Sequence, residues 1–210
     1  MKIALINGSP KGKNSASHTL LEDVKEYLGQ RADVATYLCN TPVISQENIE
    51  KLVQADAWVF AYPLYVDGIP GHLLSCLSLL EQARIQKPQI CVYGIVNCGF
   101  YEGEQADLAL KILQNWCKKT GFAWGGGIGV GGGGGLDMMP KMESGKGPKA
   151  PIEKSMEELA NAILKKKTRD NEYVSVAMPR FLYQMGAQMG WRQQIRANGG
   201  KVRDLRRKGS

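Results

Sequence analysis

Residues Ala4–Leu28 read ALINGSPKGKNSASHTLLEDVKEYL: an apolar run, a loop of glycine, serine and lysine, then leucines and a valine at helical spacing. A strand that breaks at Asn7-Gly8 and enters a helix at Ser17 or His18 leads onto that helix's unpaired N–H groups. Those groups sit at the positive end of the helix dipole and attract an anion. The loop supplies hydroxyls at Ser9, Ser15 and Ser17, cations at Lys11 and Lys13, an amide at Asn14 and little bulk. An ordinary helix start with Ser17 as N-cap explains one serine; a bound phosphate explains the whole loop.

Two familiar phosphate loops do not fit. A Walker loop needs four residues between its glycine and Gly-Lys, whereas three separate Gly8 from Gly12-Lys13, and Asn14 stands where Ser or Thr belongs. A G-x-G-x-x-G dinucleotide turn needs glycine where Pro10 stands. The second such pattern, Gly127, Gly129 and Gly132, lies in a run with glycine at nine of the eleven positions 125–135. It is followed by a polar loop instead of a helix, so it reads as a strand end with close backbone packing.

The 210 residues suit a domain of ordinary size, and a hydrophobic content of 43% is that of a globular protein with a full core. No apolar run approaches the ~20 residues that span a bilayer. The N-terminus reads as a strand and not as a secretory leader. Five scattered cysteines without a C-x-x-C pair indicate reduced thiols and a cytoplasmic protein. Two distant histidines, His18 and His72, give no basis for a metal centre. The net charge of +7 is lopsided: residues 165–210 hold 12 Lys/Arg and 3 Asp/Glu, the remainder 15 and 17.

Strand and helix patterns alternate along the chain. Strands are predicted at Lys2–Asn7, Asp33–Leu38, Ala57–Tyr62, Gln89–Val96 and Phe122–Val130, the third apolar on both faces. Helices are predicted at Ser17–Gln30, Ser45–Gln54 with Ser45 as cap, Pro70–Ala83, Glu104–Thr120 and Ile152–Lys167, with a loop over Lys141–Pro151. The expectation is α/β: a doubly wound, five-stranded parallel sheet over residues 1–167, with a basic extension over 168–210. Ligands of such sheets bind outside the carboxyl ends of the strands, where strand order reverses. The loops found there are GSPKGKNSAS, PLYVDGIP and NCGFYEGE.

These three loops resemble the flavodoxin-like fold, specifically the NAD(P)H-dependent FMN reductases and flavodoxin-family oxidoreductases. NGSPKGKNSAS, YPLYVDGIPG and NCGFYEGEQ carry the resemblance, which extends to about Gly135. It implies FMN held without a covalent bond and NADPH or NADH as electron donor. Ser9, Lys11, Ser15 and Ser17, with amides near Asn14 and His18, fall where the family grips the phosphate. Pro63, Leu64, Tyr65 and Val66 fall along the isoalloxazine, and Asn97, Gly99 and Phe100 at its polar edge. Tyr65, Phe100 and Tyr101 are candidates to stack on the ring or the nicotinamide.

The expected activity is an FMN-dependent NAD(P)H oxidoreductase passing electrons to a quinone, free flavin or similar small acceptor in a ping-pong cycle. The chemistry belongs to the flavin, so no catalytic side chain is expected, and Cys98 reads as incidental. A flavodoxin-type carrier serving protein partners is the alternative, although carriers of that kind are generally acidic. A flavin-free regulatory domain is a third reading. A homodimer or homotetramer is expected, with no specific nucleic acid. The tail, with an amphipathic helix over Arg180–Ala197, leaves three readings open: packing on the domain or a second subunit, attraction of an anionic pyridine nucleotide or of a quinone-rich membrane surface, and nonspecific nucleic-acid contact.

Overall fold

The computed structural model of the chain describes residues 1–85, 87–133 and 145–203. Strands β1 (Lys2–Asn7), β2 (Asp33–Leu38), β3 (Ala57–Pro63), β4 (Cys91–Asn97), β5 (Ala123–Val130) and β6 (Glu172–Val174) form one sheet, ordered β2-β1-β3-β4-β5-β6. Every pairing is parallel. The expected doubly wound fold is present, but with six strands instead of five. Three residues are too few to display a period, which is why β6 escaped the sequence reading. Pairing with Ile128–Val130 holds it, assisted by the Gly131 N–H donating to the Val174 carbonyl at 2.8 Å.

Helices α1 (Ala16–Leu28), α2 (Gln46–Val53), α3 (Gly71–Gln82), α4 (Asp107–Thr120), α5 (Ala150–Leu164) and α6 (Arg180–Ala197) follow the predicted order. Ser45 caps α2 as expected, its Oγ accepting from the Asn48 N–H. The cap of α1 is corrected: it is Ser15, extended at φ −142° and ψ 149°, and not Ser17. Its Oγ accepts from the His18 N–H, so the helix opens two residues earlier than a cap at Ser17 would place it. The turn before α4, Gly103–Ala106, is a 3₁₀ helix. Residues 141–144 of the expected loop and Gly134–Gly135 of the glycine run lie outside the described residues.

β3 and β4 are buried on both faces, as strands covered by helices on each side must be. One face packs Ala4, Ile6, Trp58, Phe60 and Tyr62 against Leu73, Leu77, Leu110 and Trp116 from α3 and α4. On the other, α1 lies beside α5 and over β3, burying Leu20, Leu21, Val24 and Met156. The chain forms two compact units, Met1–Ala177 and Met178–Ser210. From β1 the chain runs outward to β2 and then returns to the other side as β3, so strand order reverses at the β1/β3 boundary. A crevice at the carboxyl ends of these two strands is the position such sheets offer to a ligand.

Candidate functional site

The strand ends at this edge are held in register: Asn7 pairs with Ala61, Pro63 with Asn97, and Asn97 with Val130. Their loops therefore leave the sheet side by side. Asn7 organises the first. Its buried Oδ1 accepts from the Ser9 N–H at 2.9 Å, and its Nδ2 donates to the Gly12 carbonyl at 2.9 Å. Gly12 adopts φ +58°, a left-handed backbone that glycine takes without steric cost. Ser15 Oγ also donates to the Gly12 carbonyl, at 2.6 Å.

Gly8 has no space for a side chain, since a Cβ there would lie 2.5 Å from Leu73 Cδ2. His72 Nε2, 3.0 Å from the Gly8 carbonyl, fastens the same point to α3. The loop is thus held by contacts within the chain. At its end the Ala16 and Ser17 amides open α1, where no intrahelical acceptor exists. The first turn of α1 carries no acidic residue, so nothing opposes an anion there. Lys11, Lys13 and Asn14 are exposed around it, and His18 is partly exposed.

The buried hydroxyls have partners within the chain. Ser9 Oγ accepts from the Lys11 N–H at 3.3 Å. Ser17 Oγ donates to Asn97 Oδ1 at 2.7 Å, tying the first loop's helix to the third loop. With Oδ1 engaged, the amide N–H pair is the donor that Asn97 has to offer.

In the second loop the Tyr65 N–H donates to the Gly68 carbonyl at 3.1 Å and the Gly68 N–H returns to Tyr65 at 3.0 Å. Val66 and Asp67 form the turn between them at φ 48° and 58°, a two-residue hairpin turn made without glycine. The Leu64 N–H donates to the Asn97 carbonyl at 2.8 Å. The amides of Leu64, Tyr65 and Gly68 are therefore engaged, and Val66 and Asp67 lie in the exposed turn between them. Pro63 and Leu64 are half-buried, while Tyr65 and Val66 are exposed.

The third loop rests on the glycine run. The Cys98 N–H donates to the Val130 carbonyl, the Gly132 N–H to Phe100 at 2.6 Å and the Gly133 N–H to Cys98 at 2.7 Å. A Cβ on Gly131 would overlap the Tyr101 carbonyl oxygen, and one on Gly133 would lie 3.0 Å from Asn97 Cβ. These glycines let two backbones pack in contact, and Gly127 and Gly129 lie within β5, not at the start of a helix. Gly99 and Phe100 are exposed and Tyr101 half-buried. Burial pushes the Cys98 thiol up, and its Sγ lies 3.5 Å from the Glu102 carbonyl oxygen, so it is poorly suited to act as a nucleophile.

All fourteen residues singled out in the sequence thus lie on the three loops, at the strand ends that lead into them (Pro63 in β3, Asn97 in β4) or at the head of α1. Asn7, His72, Gly131 and Gly133 were missed. Asn7 carried a signal: an Asn before Gly-Ser at a strand end can accept from the amide two residues on. His72 carried none, because its partner lies 64 positions away. Two shallow depressions of about 150 and 250 Å³ lie elsewhere, beside Asp33 and Tyr37 and beside Arg84 and Lys119.

The family profile described as NADPH-dependent FMN reductase matches residues 1–118. Among solved structures, a flavodoxin of Streptococcus pneumonia TIGR4 superposes with a TM-score of 0.58 at 13% identity, covering 79% of this chain and 99% of its own. An FMN-dependent NADH-azoreductase of Bacillus anthracis, solved with FMN, gives 0.57 at 17% identity, covering 78% and 100%. The Trp repressor binding protein of Bacillus subtilis gives 0.51 at 19%, covering 62% and 84%. No curated protein matches in sequence. The flavodoxin-like sheet and the match over more than half of its length agree: the chain belongs to the NADPH-dependent FMN reductase family, whose cofactors are FMN and NADPH.

Proposed function

We propose that the protein is an FMN-dependent NAD(P)H oxidoreductase that delivers electrons to a quinone, a free flavin or a similar small acceptor. The observation that carries this reading is the loop clamped by Asn7, which delivers the Ala16 and Ser17 amides to a strand-order reversal. Its donor set fits the cofactor. Two helix-terminal amides and the Lys11 and Lys13 ammonium groups suit a phosphate dianion. The Asn97 amide and the Val66 and Asp67 N–H groups suit the carbonyl oxygens and nitrogens of a flat polar ring. Exposed Tyr65 and Phe100 offer aromatic faces to it or to a nicotinamide.

FMN, when bound, supplies the centre that takes hydride from the nicotinamide and gives electrons to the acceptor. The chain's own task is to position and to stabilise. Ser17 holds the Asn97 side chain by its Oδ1, so the side-chain N–H groups are the donors this residue would offer to a flat polar ring. The Val66 and Asp67 amides, in the exposed turn of the second loop, would add further donors. The exposed rim of Tyr65, Val66 and Phe100 supports a homodimer or homotetramer in which a second copy covers the ring side.

The test is anaerobic mixing of FMN-loaded protein with NADPH. Prompt loss of flavin absorbance, restored by a quinone, is expected of the enzyme. A flavin that stays oxidised until a partner reductase is added identifies an electron carrier instead.

A further inference from the structure

Residues 145–149, GKGPK, lead into α5 and carry two lysines that the three loops do not include. Their backbone is pinned at the sheet edge. Ala177, three residues past the end of β6, donates its N–H to the Pro148 carbonyl at 2.8 Å. The Gly145 N–H donates to Glu153 Oε2 at 2.7 Å, which engages the acid of α5's first turn. β6 is parallel to the other strands, so Pro148 stands at the same carboxyl edge as the three loops. The third loop leads to the same place, where the Gly103 N–H donates to Ser175 Oγ at 3.3 Å.

α1 and α5 each run back from the carboxyl edge of a parallel sheet, so both begin there, and they pack side by side. At their far ends Arg31 Nη1 lies 3.5 Å from Asn161 Oδ1. Lys146 is exposed and Lys149 partly exposed. Together they carry positive charge from the neighbourhood of Lys11 and Lys13, before α1, across to the end of β6.

We propose, resting on the oxidoreductase reading of the site, that Lys146 and Lys149 bind the 2′-phosphate of NADPH and make the protein prefer NADPH to NADH. On that reading the FMN phosphate belongs to the α1 amides with Lys11 and Lys13, and the flat ring to the loops that leave β3 and β4. Pro148 is held two to three strand spacings from those loops, roughly 10–14 Å at the usual strand separation. The end of a dinucleotide remote from its nicotinamide is the part that reaches so far. NADPH carries a phosphate monoester dianion at that end and NADH a neutral hydroxyl. Lysine ammonium groups suit such a terminal dianion as compact point charges.

Calorimetric titration of the FMN-loaded protein with NADP⁺ and with NAD⁺, neither of which can donate a hydride, reads this contact apart from turnover. NADP⁺ should bind about tenfold or more tightly than NAD⁺. Lys146→Gln with Lys149→Gln should remove most of that preference and leave the affinities for NAD⁺ and FMN as they were. Lys165→Gln with Lys167→Gln, exposed lysines beyond the other end of α5, removes the same charge and should leave the preference intact. Equal binding of the two nucleotides by the unaltered protein overturns the proposal. So does a loss common to NADP⁺ and NAD⁺, which marks a pyrophosphate contact, a loss of FMN affinity, or an equal effect of the distant pair. If NADPH and NADH both bleach the flavin while any of these outcomes holds, the oxidoreductase reading stands and the lysine assignment alone falls. A flavin that neither nucleotide reduces overturns both.

Discussion

Ser17 and Asn97 stand 80 positions apart and meet through one 2.7 Å hydrogen bond in a buried setting. Ser17→Ala leaves the Asn97 oxygen without its donor, so it should cost about 1–2 kcal/mol in urea unfolding. FMN affinity should also fall, because Asn97 loses its orientation. Ser17→Thr, which retains the hydroxyl, should restore most of both; equal losses in the two variants would count against the bond. The hydroxyl-rich loop was legible in the sequence, since small polar residues between a strand and a helix have few other uses. The partner of each hydroxyl was not. Ser17 reads locally as a helix cap, yet the cap is Ser15, and Ser17 turns inward to a residue that only the fold brings near.

The second loop shows the same limit in an element. Its sequence, PLYVDGIP, announces a turn through Gly68 and two prolines, but the positive-φ positions fall on Val66 and Asp67 instead. A β-branched residue at φ 48° is strained by roughly 1–2 kcal/mol. Val66→Gly should therefore raise the urea midpoint, in spite of the flexibility it adds to the unfolded chain. A lowered midpoint would mean that the turn relaxes to ordinary φ values in solution. The third loop behaves oppositely, since glycine there is required by contact. Gly131→Ala forces a methyl against the Tyr101 carbonyl and should destabilise by about 1–3 kcal/mol, measured by thermal unfolding. Gly99→Ala, with nothing within 4 Å of the added carbon, is the control and should be near neutral. Helices of three turns or more and five of the strands were readable from apolar periodicity. β6, with three residues, has no period to read.

Across the whole first unit, buried tyrosines couple the fold to pH. Burial pushes the Tyr62 and Tyr93 phenols well up, and burial with a 2.5 Å bond to Asp107 pushes Tyr173 up to about 12. An unfolded tyrosine ionises near pH ~10. The folded state thus holds protons that the unfolded chain releases, so this stability is whole below about pH 10 and is lost as pH rises toward 12. Urea midpoints measured from pH 9 to 12 should fall, and Tyr173→Phe should make the fall shallower. That the whole sheet exists to present an anion cradle is tested most directly by calorimetric titration of the protein with FMN and with riboflavin, which lacks only the phosphate. Two amide hydrogen bonds to a charged group together contribute about 3 kcal/mol or more, so FMN should bind at least about 100-fold more tightly. Equal affinities for the two flavins, or no binding of either, would contradict the account.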